Sequence, residues 1–150
     1  MLTAEDVIDS FTTASGYPFL SNFHPSTIYV EGRSYATVEH AYQAHKTLEG
    51  GPHELIRKAS SPAIAKKLGR GVLLRPDWDI VKLDLMRTFV KKKFENPFLR
   101  PLLISTGEAQ LVYGNTWNDR FFGVCRGTGA NWLGKILMEV REEARREDSL

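Results

Sequence analysis

A mainly helical α+β fold is predicted, as a single domain over residues 1–150 with a small set of short β-strands. Three observations predict it. Two long segments, 77–95 and 131–146, carry apolar residues at the helical period. The stretches with strand character are only a few residues long. Helices and strands do not alternate in the way that a parallel βαβ sheet requires.

Taken in order, residues 17–36 read as extended. Ser26 to Val30 and Arg33 to Tyr35 flank Glu31-Gly32, a tight hairpin turn. Thr37 is a good N-cap for a helix that runs to about Leu48 and is stopped by Gly50-Gly51-Pro52. A second helix covers His53 to Ala59. Ser61-Pro62 is a cap followed by a first-turn proline, and Gly69 is the C-terminal stop of the helix that they open. Val72 to Leu74 reads as a short strand.

Asp77 to Glu95 reads as a long helix with Trp78, Val81, Leu85 and Phe89 near the helical period. Asn96-Pro97 starts another, through Leu99, Leu102 and Leu103, that ends before Gly107. Gln110 to Tyr113 reads as a strand. Residues 114–130, rich in Gly, Asn, Asp and aromatics, read as an irregular loop. The last helix runs from about Asn131 to Arg146, with Leu133, Ile136, Leu137, Val140 and Ala144 as its core stripe.

The composition limits the function classes. The chain is 42% hydrophobic and 25% charged, as in an ordinary globular protein. Its 20 basic and 18 acidic residues leave a formal charge of +2, too balanced to argue for nucleic-acid binding by charge alone. The one cysteine, Cys125, excludes an intrachain disulfide and any multi-cysteine metal site. His40 and His45 are five apart and His24 and His53 lack ligand spacing, so no helical metal pair is expected. Met1 to Asp6 lacks the pattern of a secretory leader, and no apolar run approaches the ~18 residues of a membrane span. The expectation is a soluble cytoplasmic protein with no metal, no cofactor and no membrane association.

Chemistry centres on the helix after Thr37. Glu39, Gln43 and Lys46 lie at i, i+4 and i+7 and share a face, while His40 turns away from it. Such a stripe is a solvated surface with weak contacts, or a cleft doing acid–base or nucleophilic work. Spacing alone favours the first and does not separate the two. The loop Gly114 to Gly123 mixes aromatic and polar residues. It reads either as an ordinary loop with buried rings or as a pocket wall, with Trp117 or Phe122 stacking on a ring and Asn118 or Asp119 holding hydroxyls.

Four segments together resemble the NADAR family, also called YbiA-like. They are Phe19-Leu20-Ser21-Asn22-Phe23 and the run Tyr35 to Lys46. Next comes Ala65 to Arg70 with Arg75-Pro76-Asp77-Trp78, Lys82 and Met86. The last is Trp117-Asn118-Asp119 with Gly123 and Gly129 to Met138. The likeness runs from about residue 11 to 146.

What it implies is an N-glycosidase that cleaves between a ribose C1 and a nitrogen. One branch of the family acts on phosphorylated intermediates of riboflavin synthesis, and another removes ADP-ribose from guanine in nucleic acid. The implied catalytic residues are Glu39, as acid–base or charge stabiliser, and Lys46, as the amine that engages C1. Asn22, Asp119 and Asn131 would hold ribose or the leaving group, and Gln43 would join the substrate-binding face. Phe23, Trp78 and Trp117 would frame the pocket, and Arg70 and Lys82 would take phosphate. The loop 117–123 departs from the Trp-Gly-x-Gly-like family pattern, which bears on the leaving group. The alternatives are a non-catalytic ADP-ribose or nucleotide-binding module, and a small helical interaction protein with a solvated Glu39–Lys46 face.

Overall fold

The computed structural model describes residues 1–150 and contains four short strands and six α-helices. In chain order these are β1 (Val7–Ile8), β2 (Ile28–Val30), β3 (Arg33–Tyr35), α1 (Val38–Ala44), α2 (Gly50–Arg57), α3 (Pro62–Gly69), α4 (Trp78–Lys93), α5 (Arg100–Ser105), β4 (Gln110–Leu111) and α6 (Trp132–Asp148). The mainly helical α+β expectation holds. The chain forms two compact units, residues 22–93, and residues 1–21 together with 94–150.

In the unit 22–93, β2 and β3 form the expected hairpin, with Ile28 opposite Tyr35 and Val30 opposite Arg33. Glu31 and Gly32 both take positive φ, 51° and 80°, as a two-residue hairpin turn demands. Thr37 then caps α1, its hydroxyl accepting from the His40 amide at 3.1 Å. α1 packs against α2, α3 and α4, and all seven of its residues are buried. Ala41 and Ala44 are fully covered and keep the neighbouring elements close. His40 uses both ring nitrogens locally, towards Thr37 Oγ1 at 2.8 Å and the Ala59 carbonyl at 2.9 Å. It is turned away from the Glu39 face, as its spacing predicts.

Several boundaries differ from expectation. α1 ends at Ala44, short of Leu48. The His45 imidazole turns back onto the Ala41 carbonyl at 2.6 Å, and the amides of Lys46 and Thr47 bond to Gln43 and Ala44, tightening the last turn. Gly50-Gly51-Pro52 does not stop a helix but opens α2, where the first amides have no helical partner and a proline costs little. Gly69 closes α3 for reasons of space, described below, and not through a left-handed turn. Val72 to Leu74 forms no strand. No neighbouring backbone lies alongside to complete a ladder, and Leu73 and Leu74 are exposed. α4 buries Trp78, Met86, Phe89, Val90 and Lys93, while Val81 and Leu85 are half-buried.

In the unit 1–21 with 94–150, β1 and β4 pair in parallel, Val7 with Gln110 and Ile8 with Leu111. The sequence signals neither β1 nor this pairing, and the strand expected over 110–113 is two residues long. α5 begins at Arg100, after a turn in which Asn96 Oδ1 accepts from the Phe98 amide at 2.8 Å. α6 buries the predicted stripe Leu133, Ile136, Leu137, Val140 and Ala144 and packs on β4 and α5. Burying each of its larger apolar side chains contributes about 1.5–3 kcal/mol. Gly134 lets α6 sit on β4, since a β-carbon there would lie 2.1 Å from the Leu111 carbonyl oxygen. No helix is long and apolar enough to cross a membrane.

Candidate active site

The predicted stripe of α1 is not a wet surface. Glu39 is 7% exposed and Gln43 is 4% exposed. Burying a carboxylate is costly unless it is hydrogen-bonded, and Gln43 Nε2 donates to Glu39 Oε1 at 2.8 Å. The Glu39 backbone amide donates to the Asn22 carbonyl at 3.2 Å, which ties the carboxylate's backbone to the segment before the hairpin. The Asn22 side chain donates in turn to Met86 Sδ on α4 at 3.5 Å.

Lys46 is half-buried just beyond α1. Its ammonium lies 5.7 Å from the centre of the Tyr42 ring, one turn back on the same helix face. Tyr42 rests against buried Trp78, with ring centres 5.0 Å apart. Burial pushes the Lys46 amine below the usual lysine value. Glu39 opposes that shift, and the charges of Arg70, Lys66 and Lys82 add to it. An amine so placed is more available as a nucleophile near neutral pH than a surface lysine.

Three cations act on the Lys46 amine. Lys66 lies on α3 and Arg70 caps its C-terminal end, and the Lys66 ammonium sits 6.0 Å from the centre of the half-exposed Phe23 ring. Lys82 on α4 is paired with Asp79 at 3.3 Å. A cluster of this sign suits a phosphorylated ligand. Tyr42, Lys66 and Met86 complete the surroundings of the predicted residues. The i,i+4 spacings of Tyr42 with Lys46 and of Lys66 with Arg70 were the available signals for the first two. Nothing local points to Met86. No group of His, Cys, Asp and Glu converges in a way that would hold a metal ion.

Three predicted residues lie in the other unit, and two of them, Asp119 and Asn131, have local hydrogen-bond partners. Asp119 Oδ1 accepts from the amides of Phe121 and Phe122 at 3.2 and 2.9 Å, and the Asp119 amide donates to Asn115 Oδ1 at 3.0 Å. Asn131 stands before α6 in a left-handed conformation, φ 56°. Its Oδ1 accepts from the Tyr113 amide at 2.9 Å and its Nδ2 donates to the Leu111 carbonyl at 3.0 Å. Both residues therefore staple the loop 111–131. Trp117 is 55% exposed, with its ring edge-on to Tyr113 at 6.1 Å.

Residues 10–145 match the NADAR domain. The N-glycosidase YbiA of Escherichia coli is 40% identical over 143 residues, 93% of this chain and 89% of that protein. An N-glycosidase of Nostoc punctiforme is 42% identical over 136 residues, 86% of each. A riboflavin biosynthesis protein of Vibrio vulnificus is 36% identical over 143 residues, 93% of this chain and 39% of that longer protein. The NMR structure of E. coli YbiA matches with a TM-score of 0.87 and 38% identity, over 99% of this chain and 89% of that one. Fold and kinship define an enzyme of the N-glycoside hydrolase class. The chain belongs to the NADAR domain family.

Proposed function

We propose that this enzyme hydrolyses the C1–N bond of a phosphorylated ribose carried on an aminopyrimidine intermediate of riboflavin synthesis, with Lys46 as nucleophile and Glu39 as its proton partner. One observation carries the reading. A buried, hydrogen-bonded carboxylate on α1 interacts with a half-buried lysine of lowered pKa just past the helix end, and the charges of Arg70, Lys66 and Lys82 act on the same amine. The aminopyrimidine is favoured by kinship with a protein named for riboflavin biosynthesis. A small phosphorylated substrate also fits a chain with a net charge of only +2. The working compartment that goes with it is the cytoplasm, where the buried thiol of Cys125 stays reduced.

The reaction balances with these two groups and water. The Lys46 amine attacks C1 as the C1–N bond breaks. The proton that lysine loses passes through Glu39 to the leaving nitrogen, which departs as a neutral amine. The ring C1–O bond then breaks, the ring oxygen takes a proton from water, and a protonated imine is left on Lys46. Water adds at C1 and frees the lysine, leaving a free sugar phosphate. Arg70 and Lys82 hold the phosphate, and Phe23 and Trp78 with Asn22 bound the sugar's pocket.

The test compares wild type, Glu39→Gln and Lys46→Ala on two substrates, the phosphorylated ribosyl-aminopyrimidine and DNA carrying ADP-ribosyl guanine. Released sugar is read by mass spectrometry. Wild type cleaves the first, and each variant loses at least about 100-fold while keeping its circular dichroism. Borohydride traps a sugar adduct on Lys46 during turnover. Cleavage of the ADP-ribosylated DNA alone would reassign the leaving group. Tight calorimetric binding of ADP-ribose with neither substrate cleaved would make the chain a non-catalytic binding module.

A further inference from the structure

We infer that Gln43 is a positioning residue and not a substrate ligand: backed by Gly69, its amide delivers Glu39 to the reaction as an oriented carboxylate. The assignment rests on the Glu39–Lys46 reading.

The two ends of the Gln43 amide meet different surroundings. Nε2 donates to Glu39 Oε1 at 2.8 Å. Oε1 is buried and has no hydrogen-bond partner. A half-turn of the amide would exchange the ends and set an oxygen lone pair against the carboxylate. The orphaned oxygen persists because its bonded opposite end meets a charged acceptor, the stronger kind of hydrogen bond.

Gly69 fixes the amide in place. A β-carbon at Gly69 would lie 2.0 Å from Gln43 Oε1, 2.9 Å from its Cδ and 3.1 Å from its Cβ. Gly69 is helical and needs no positive φ, so space alone accounts for a glycine there. The amide is thus clamped between the backbone of α3 and the carboxylate of α1. At 4% exposure it offers almost no surface to a ligand.

A donor aimed at a carboxylate favours its ionised form. In the proposed cycle Glu39 acts as a base, its Oε1 oriented by the Gln43 amide. It accepts the proton from Lys46 as the lysine nitrogen bonds to C1, then hands that proton to the leaving nitrogen.

The experiment measures kcat and KM on the ribosyl-aminopyrimidine for wild type, Lys46→Ala, Gln43→Met, Gly69→Ala, Gln43→Ala and the pair Gln43→Ala with Gly69→Ala. Gln43→Met keeps the volume and loses the donor. Its kcat falls about tenfold to 100-fold while KM stays within about twofold. Gly69→Ala does the same in the wild-type background. In a Gln43→Ala background it has no further effect, because no amide is left to displace. An unchanged kcat in Gln43→Met, beside an inactive Lys46→Ala, overturns the assignment. So does a raised KM with kcat intact, which would make Gln43 a substrate contact. Full activity in Lys46→Ala, or no turnover of either the ribosyl-aminopyrimidine or the ADP-ribosylated DNA by wild type, overturns the lysine reading itself and this assignment with it.

Discussion

The backbone amide of Arg75 donates to the carbonyl of Lys46 across 2.7 Å. Lys46 stands beyond the last residue of α1, where the helix no longer fixes the chain. This bond holds the root of the amine instead. The strap is itself anchored, because the Arg75 guanidinium grips Asp77 at 2.6 and 3.1 Å. The segment expected to be a strand, 72–74, is the lead-in to this strap.

The Lys46 amine predicts a pH dependence. It must be neutral to attack, so activity rises with pH through a value below the usual lysine value of 10.5. Burial sets that depression first, and among the cations Arg70 leads. Arg70→Gln removes a charge that disfavours the ammonium, so the limb moves to higher pH. The readout is kcat/KM against pH for the two proteins. A limb that stays in place would assign it to another group.

Asn131 predicts a stability effect. Its amide joins the backbones of Tyr113 and Leu111, and its own backbone is left-handed. Asn131→Ala loses both bonds and keeps a strained φ, costing about 2–4 kcal/mol in urea unfolding. Asn131→Gly relieves the strain and costs less. A KM effect with unchanged stability would instead return Asn131 to the role of substrate ligand.

His45 and His53 predict sensitivity to acid. Their rings lie 5.0 Å apart beside Tyr35, whose hydroxyl meets His53 Nε2 at 2.7 Å. Burial lowers both from the usual 6.5. Above that value both are neutral whether folded or unfolded, and their full contribution to stability is present. As pH falls below it the unfolded chain takes up the protons first, so stability is lost until pH passes the lowered folded values. The urea midpoint falls between about pH 7 and pH 5. His53→Gln removes one of the two titrations and makes that fall shallower. An equal slope in the variant would place the titration elsewhere.

Local signals made much of this molecule legible. The Thr37 and Ser61 caps, the Glu31-Gly32 turn and the stripe of α6 each depend on residues within about four positions of one another, so pattern reveals them. The same period put Glu39, Gln43 and Lys46 on one face. Whether that face was wet was not local. Spacing alone favoured solvent. The packing of α2, α3 and α4 around α1 buried Glu39 and Gln43 instead. Tertiary contact likewise kept 72–74 out of any sheet, paired β1 with β4, and spent Asn131 and an oxygen of Asp119 on the loop. The sequence by itself determined which residues are neighbours along each element. Only the fold decided which of them lost water and which backbone lay against them, because burial and close approach are set by partners distant in the chain.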